Sequence, residues 1–387
     1  MNFRSRRMIL GALITTAVVF SLSSAWAAGQ GGSGPRRQMA EEVFKNIQVF
    51  KGVPADEFIV SMGFISNALA VNCTYCHSEA GGGGWDRYAL DTDAAKRTSR
   101  RMVLMMNEIN KTNFGGRQVV TCVSCHNGAT RPKAVFNLAP YYSIATGDEP
   151  NDILRQAPGA PSADQVIDKY IQALGGTQRL AGLTSFSAKG TYLGYGEPEK
   201  NPLEVLAKAP GQRTVSIRTI SGDMTTTYDG GSGWVRVPEP FSPLQLRVLA
   251  GTELEAAKLD VDLAFPAQLK QALSGWRGAV PTALGDRDVQ VIQGQTATGS
   301  PVKLYFDEES GLLVRVVRHL KTPLGRSPRL MDLSDYREVA GIKVPFRLDI
   351  YQESGMGTIE LTDVQPNVQV DAARFARPAP PARSATP

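Results

Sequence analysis

The sequence predicts an α+β chain: a mainly α-helical N-terminal module followed by a mostly antiparallel β-sheet domain with a few helices. Three observations predict it. Between residues 54 and 110, apolar residues recur three and four positions apart, the spacing of one helix face. From Ser185 onward, short runs alternate apolar and polar residues and are separated by turn residues, the signature of half-buried strands. Between the two textures, Pro132, Pro140, Pro150, Pro158 and Pro161 punctuate a stretch without a period. The length of 387 residues suits two domains behind a leader.

The leader reads as an export signal. Arg4, Arg6 and Arg7 form a basic start, Met8 to Leu22 is apolar, and Ala25-Trp26-Ala27 supplies a small-residue cleavage site. The apolar run is shorter than the ~20 residues that span a bilayer. A signal peptide at 1–27, cut after Ala27, places the mature chain in the periplasm, membrane-associated only through a partner. Residues 28–37 read as a flexible segment. With 20% charged residues, a net charge of +5 and no long basic run, nothing calls for nucleic acid.

The first helix is expected from Pro54 to Ala70. Asp56 and Glu57 suit its positive N-terminal end, and Phe58, Met62, Ile65 and Leu69 make one apolar face. The second is expected to be capped by Asp91 or Thr92 and to run to about Asn110. It carries Met102, Met105 and Met106 on one side, and Lys96, Arg97, Arg100 and Arg101 as a basic set.

The four cysteines carry the chemistry. They form Cys73-Thr74-Tyr75-Cys76-His77 and Cys122-Val123-Ser124-Cys125-His126, two copies of C-x-x-C-H. That spacing lets two thiols reach the two vinyl groups of a porphyrin from one turn, with the adjacent histidine beneath the iron. A four-cysteine zinc site would leave both histidines without a role and needs a long 45-residue separation. Two covalent haem c groups are therefore expected on Cys73, Cys76, Cys122 and Cys125, with His77 and His126 as proximal ligands. Only three histidines exist, and His319 lies in a strand-like segment, so two bis-histidine haems are excluded within one chain. Methionine is the natural sixth ligand. Met62, eleven residues before Cys73, serves the first haem, unless it is a core residue. One of Met102, Met105 and Met106 can serve the second, the others lining the haem edge. The basic set is either a solvated face, a partner for haem propionates or a dock for an acidic redox protein.

Met62-Gly63-Phe64 with Ala68-Leu69-Ala70-Val71-Asn72-Cys73 to His77 resembles the haem repeat of the tetrahaem cytochrome subunit of photosynthetic reaction centres. Arg100-Arg101-Met102, Ile109-Asn110 and Val120-Thr121-Cys122 to Gly128 carry the same resemblance, which extends over about Met39 to Pro132. It implies a helical methionine ahead of each C-x-x-C-H, hence Met62 for the first haem and Met102 for the second. The chain departs from that family in having two haems, not four.

The remaining boundaries are a dihaem module at 38–133, a Pro-rich linker at 134–161, a β-rich domain at 162–377 and a flexible tail at 378–387. In the β-rich part, Gln165 to Leu174 reads as a helix ended by Gly175-Gly176, and Leu254 to Trp276 as a helix broken at Pro266. Strands are expected at 185–194, 203–209, 214–220, 233–237, 302–306, 312–320, 343–351 and 357–364. Thr227-Tyr228-Asp229-Gly230 with Trp234, and the hairpin at Asp307 to Gly311, resemble the half-barrel of periplasmic lipoprotein-carrier proteins. That resemblance implies an apolar ligand in a concave face. The function read from the sequence is electron transfer between periplasmic or membrane-bound redox partners, without enzymatic activity. The alternatives are an apolar-ligand or lipid-binding β-domain with a haem input, and a dihaem peroxidase.

Overall fold

Alternation after residue 185 builds one sheet. The computed structural model describes residues 37–80, 84–132, 154, 156, 158–195, 197–238, 242–278, 281–353 and 355–378. Among them, fourteen strands pair antiparallel. They are β1 (Ser185–Gly194), β2 (Asn201–Lys208), β3 (Gln212–Thr219), β4 (Gly222–Tyr228), β5 (Gly233–Arg236), β6 (Leu246–Val248) and β7 (Ser274–Gly278). Then follow β8 (Thr282–Leu284), β9 (Arg287–Gln295), β10 (Pro301–Asp307), β11 (Leu313–Thr322), β12 (Gly325–Val339), β13 (Ile342–Gln352) and β14 (Gly355–Pro366). The order is β6-β5-β4-β3-β2-β1-β14-β13-β12-β11-β10-β9-β7, with β8 beside β9. Two meanders are thus joined where β1 meets β14.

The helices are α1 (Ala40–Val43), α2 (Ala55–Leu69), α3 (Ala94–Phe114), α4 (Cys122–His126), α5 (Ala163–Leu174), α6 (Thr177–Ala181), α7 (Gly251–Ala264) and α8 (Leu269–Ala272). Ser162 caps α5: its hydroxyl accepts from Gln165 N at 3.3 Å, and the Gln165 side chain accepts from Ser162 N at 2.8 Å. Ile167, Tyr170, Ile171 and Leu174 of α5 bury against Ile292, Leu304, Phe306 and Leu313 of the sheet.

Helix α7 shows that the sheet curls. Asp260 reaches Arg318 of β11 at 2.5 Å and Arg213 of β3 at 3.9 Å. Six strand steps separate β3 from β11, about 29 Å on a flat sheet at ~4.8 Å per step. One carboxylate can meet both arginines only if the sheet wraps around the helix. The sheet is an open half-barrel with α7 in its concave face.

Helix α2 begins and ends where the sequence places it. Leu254 to Trp276 is corrected: the helix starts at Gly251, breaks at Pro266 as expected, and ends at Ala272, while Trp276 lies in β7. Leu273 leaves the helix in an extended conformation, and Ser274 pairs with Gln295 of β9. The α3 cap is Asp93, not Asp91 or Thr92, because Asp91 is drawn to Arg100 and Lys96. Strands β4, β6, β7, β8, β9 and β12 lay outside the expected set. The expected signal peptide 1–27, most of the segment 28–37, most of the linker 134–161 and most of the tail 378–387 lie outside the described residues.

Candidate haem-binding site

The first attachment site is built by a reversal at the end of α2. Ala70 takes a left-handed conformation with φ 51°, and Val71 N–H closes on Ser66 O at 3.0 Å. The chain doubles back into a tight turn in which Cys73 O accepts from Cys76 N at 3.3 Å and from His77 N at 3.1 Å. That reversal brings Met62 and the motif to one place: Met62, Cys73, Cys76 and His77 all line a single cavity of about 1320 Å³. Small-molecule sites are ~300–1,000 Å³, so the space admits a porphyrin.

The His77 ring lies 5.1 Å from the Tyr88 ring, and Tyr88 stacks on Trp85. His77 Nδ1 is buried and makes no hydrogen bond of good geometry, although the nearby Tyr88 carbonyl favours its protonation. Burial, then the charge of Lys96, holds the imidazole below its ordinary basicity, which keeps the neutral form that ligates metals. Burial also pushes up the thiols of Cys76 and Cys122. All four cysteines are free.

The basic set of α3 divides. Lys96 and Arg100 have side chains only 11% and 15% exposed, so they are not a solvated face. Lys96 donates to the carbonyls of Tyr88 at 2.9 Å and Leu90 at 2.7 Å, and Arg100 pairs with Asp91 at 2.8 Å. They fix the loop that carries Tyr88 while lining the cavity. Arg97 and Arg101 are exposed. Asp93 accepts from Ser78 N at 3.0 Å and Ser78 Oγ at 2.9 Å, tying the residue after His77 to the start of α3.

The second site is organised by Asn110, 5% exposed. Its side chain accepts from Val119 N at 3.1 Å and Val120 N at 2.9 Å and donates to Val120 O at 2.7 Å. This pins the segment feeding α4. The His126 Nδ1 lies 2.9 Å from Ala129 O, a bond that makes Nδ1 the protonated nitrogen and leaves Nε2 for iron. Gly128 N donates to Ala68 O at 2.9 Å, so α2 supports both sites.

The candidate methionines are placed differently. Met106 is 5% exposed and sits in a core of Phe50, Phe64, Val103 and Leu324 against which Cys122 packs. Met102 and Met105 are exposed, as are Val119 and Val123. These unmet apolar side chains are of the kind a porphyrin face would cover. His319 is buried in β11, lines a separate small hollow with Thr252, Glu255 and Leu259, and is absent from the wall that holds Met62. The residues present fit haem c: paired thiols, an adjacent imidazole and, at the first site, a thioether lining the same porphyrin-sized space.

Residues 23–154 match the sequence model of the photosynthetic reaction centre cytochrome c subunit. The chain is 29% identical over 118 residues to the photosynthetic reaction center cytochrome c subunit of Roseobacter denitrificans, covering 28% of this chain and 31% of that protein. It is 30% identical over 122 residues to the subunit of the same name from Thermochromatium tepidum, covering 30% and 28%. The chain thus spans about three tenths of the length of these curated relatives. The C-terminal half is similar to solved structures. One is a LolA superfamily protein from Nitrosomonas europaea: 14% identity, TM-score 0.39, 56% of this chain and 98% of that one. Another is a DUF1329 family protein from Desulfovibrio piger: 12% identity, TM-score 0.40, 56% and 97%.

Sequence reasoning missed Tyr88, the pairing of Asp91 with Arg100, the role of Asn110 in pinning α4 and the sheet residues that wall the cavity. Asn110 was visible only as part of the resembling repeat. The sheet residues, among them Arg329 and Glu353, gave no local signal.

Proposed function

We propose that this protein is an exported dihaem c-type cytochrome that passes electrons between periplasmic or membrane-bound redox proteins. The observation that carries this is the convergence of Met62, Cys73, Cys76 and His77 on one cavity, repeated in sequence by Cys122, Cys125 and His126. Cys73 and Cys76 would hold the first haem, and Cys122 and Cys125 the second. His77 and His126 would be proximal ligands, with Met62 and Met102 as sixth ligands and Met105 as the substitute for Met102. Met106, packed in the core, is the weaker substitute. When bound, the haem supplies one-electron iron chemistry, and thioether ligation raises its potential. The chain's own residues do the rest. Asn110 and the Asp93–Ser78 pair fix the attachment segments, Tyr88 covers His77, and α2 links the two sites. The proposed parts are the dihaem module at 38–133 and the β-rich domain at 162–377.

The cavity continues to the mouth of the half-barrel, where Met224, Val235, Leu244 and Leu249 line it. An apolar ligand there is the second reading, and solvent extraction of the purified protein would reveal it.

Intact mass after expression with a cytochrome maturation system tests the main reading. The expected gain over the mature apoprotein is two haems. A gain of one or none overturns the count.

A further inference from the structure

We infer that the half-barrel is the seat of the Met62 helix, and that Glu353, held by Arg329, is a positioning residue for the thioether presented to the first iron. This rests on Met62 being that iron's ligand.

Met62 is followed by two residues that the sheet grips. The turns β11–β12 and β13–β14 lie at the same end of the sheet, the β12–β13 turn at the other. Helix α2 lies across both of the former. At the β13–β14 turn, Gly63 meets Glu353 so closely that a Cβ on the glycine would sit 2.7 Å from Glu353 Cγ and 3.2 Å from its Cβ. One helical turn on, Asn67 Nδ2 donates to Glu353 O at 2.8 Å. At the β11–β12 turn, Gly325 lies against the Phe64 ring, where a Cβ would be 2.8 Å from Phe64 Cζ. The same turn accepts a hydrogen bond from Gln118 through Pro323 O.

Glu353 is itself fixed. Its side chain is 6% exposed and pairs with Arg329 at 2.9 Å, while Ser327 Oγ lies 3.3 Å from its second oxygen. Arg329, Gly63 and Glu353 all line the cavity that holds Met62, Cys73 and His77. The glycine next to the methionine therefore lets α2 approach a rigid, ion-paired side chain from the far end of the chain. That contact sets the rotation and height of α2, hence where the Met62 sulfur stands. A misplacement of about 1 Å is enough to loosen a site held by such a supporting shell.

The test uses full-length holoprotein. The readouts are the near-infrared methionine–ferric haem band and the potential of each haem by redox titration. Alanine is a better helix former than glycine, so Gly63→Ala would strengthen α2 in isolation. On the seat it must push α2 away. The expected result is a weakened band and a lowered potential for one haem, with the other unchanged. The double variant Gly63→Ala/Glu353→Ala removes the blocking Cγ but also the positioning side chain, so it is expected to relieve the push without restoring the parental band; full restoration would overturn the positioning role of Glu353. Asn67→Ala, which deletes the bond to Glu353 without adding bulk, is expected to shift the same haem in the same direction; it carries the test if Gly63→Ala fails to fold. If the parent shows a band that Met62→Ala weakens, and neither Gly63→Ala nor Asn67→Ala moves it, the seat is overturned. If the parent shows no such band, the ligand reading falls, and the inference with it.

Discussion

Replacing Phe64 by Ala probes the packing behind the site. Phe64 is 7% exposed and shares a core with Phe50, Val103, Met106 and Leu324, against which Met62 and Cys122 also pack. Its ring fills the space above Gly325 and leaves little room for the site to collapse. A buried Phe→Ala substitution costs about 3–5 kcal/mol. With a urea dependence of about 3 kcal/mol per molar, the midpoint should fall by about 1–1.7 M. The assay is urea unfolding of the holoprotein followed at the haem Soret band. A fall below about 0.3 M, equivalent to about 1 kcal/mol, would refute the packing argument.

Met62→Ala should remove the sixth ligand of the first haem, abolish its near-infrared band and lower its potential; a parent-like spectrum and potential would leave Met62 as a core residue. Asp91→Asn tests the loop that covers His77. The hydrogen bond from Arg100 is the main cause holding the Asp91 carboxyl well below its usual range. A depressed carboxylate stabilises the fold above its unfolded pKa of about 3.9 and loses that contribution as pH falls through its folded value. The stability gap between parent and variant should therefore be full at pH 5–7 and shrink below about pH 4; a gap that grows on acidification would contradict it. The segment 162–377, expressed alone, should be soluble, β-rich by circular dichroism and cooperative on melting, as proposed for a separate domain.

Elements that carry their own period were legible. Helix α2 announces itself by Phe58, Met62, Ile65 and Leu69, and the Asp307 to Gly311 turn by its residues. Strand β12 was not, because Pro328, Asp332 and Arg337 read as loop. Pro328 pairs with His319 of β11, but β13 begins its pairing only at Leu330, so the missing N–H falls where no strand requires it. Strand β4 is a row of threonines without alternation in polarity, although Thr227 is buried on Thr214 at 3.0 Å. The C-x-x-C-H segments and the helix carrying Met62 stood out in the sequence because their spacing is local. The seat of Met62 was not, because Asn67 and Glu353 stand 286 residues apart.

The pairing of β1 with β14 bears on the order of assembly. Gly194 lies opposite Gly357, so the middle of the sheet cannot close until the last strand has emerged. Such distant pairings carry the largest loop-closure entropy and form late. Both C-x-x-C-H segments leave the ribosome well before that and, in the exported cytochrome proposed above, also cross the membrane first. In that reading haem attachment meets an N-terminal segment with open thiols and no finished wall around them. The β13–β14 turn arrives last, and for the proposed cytochrome closing the sheet is the step that locks the Met62 helix over a haem already in place.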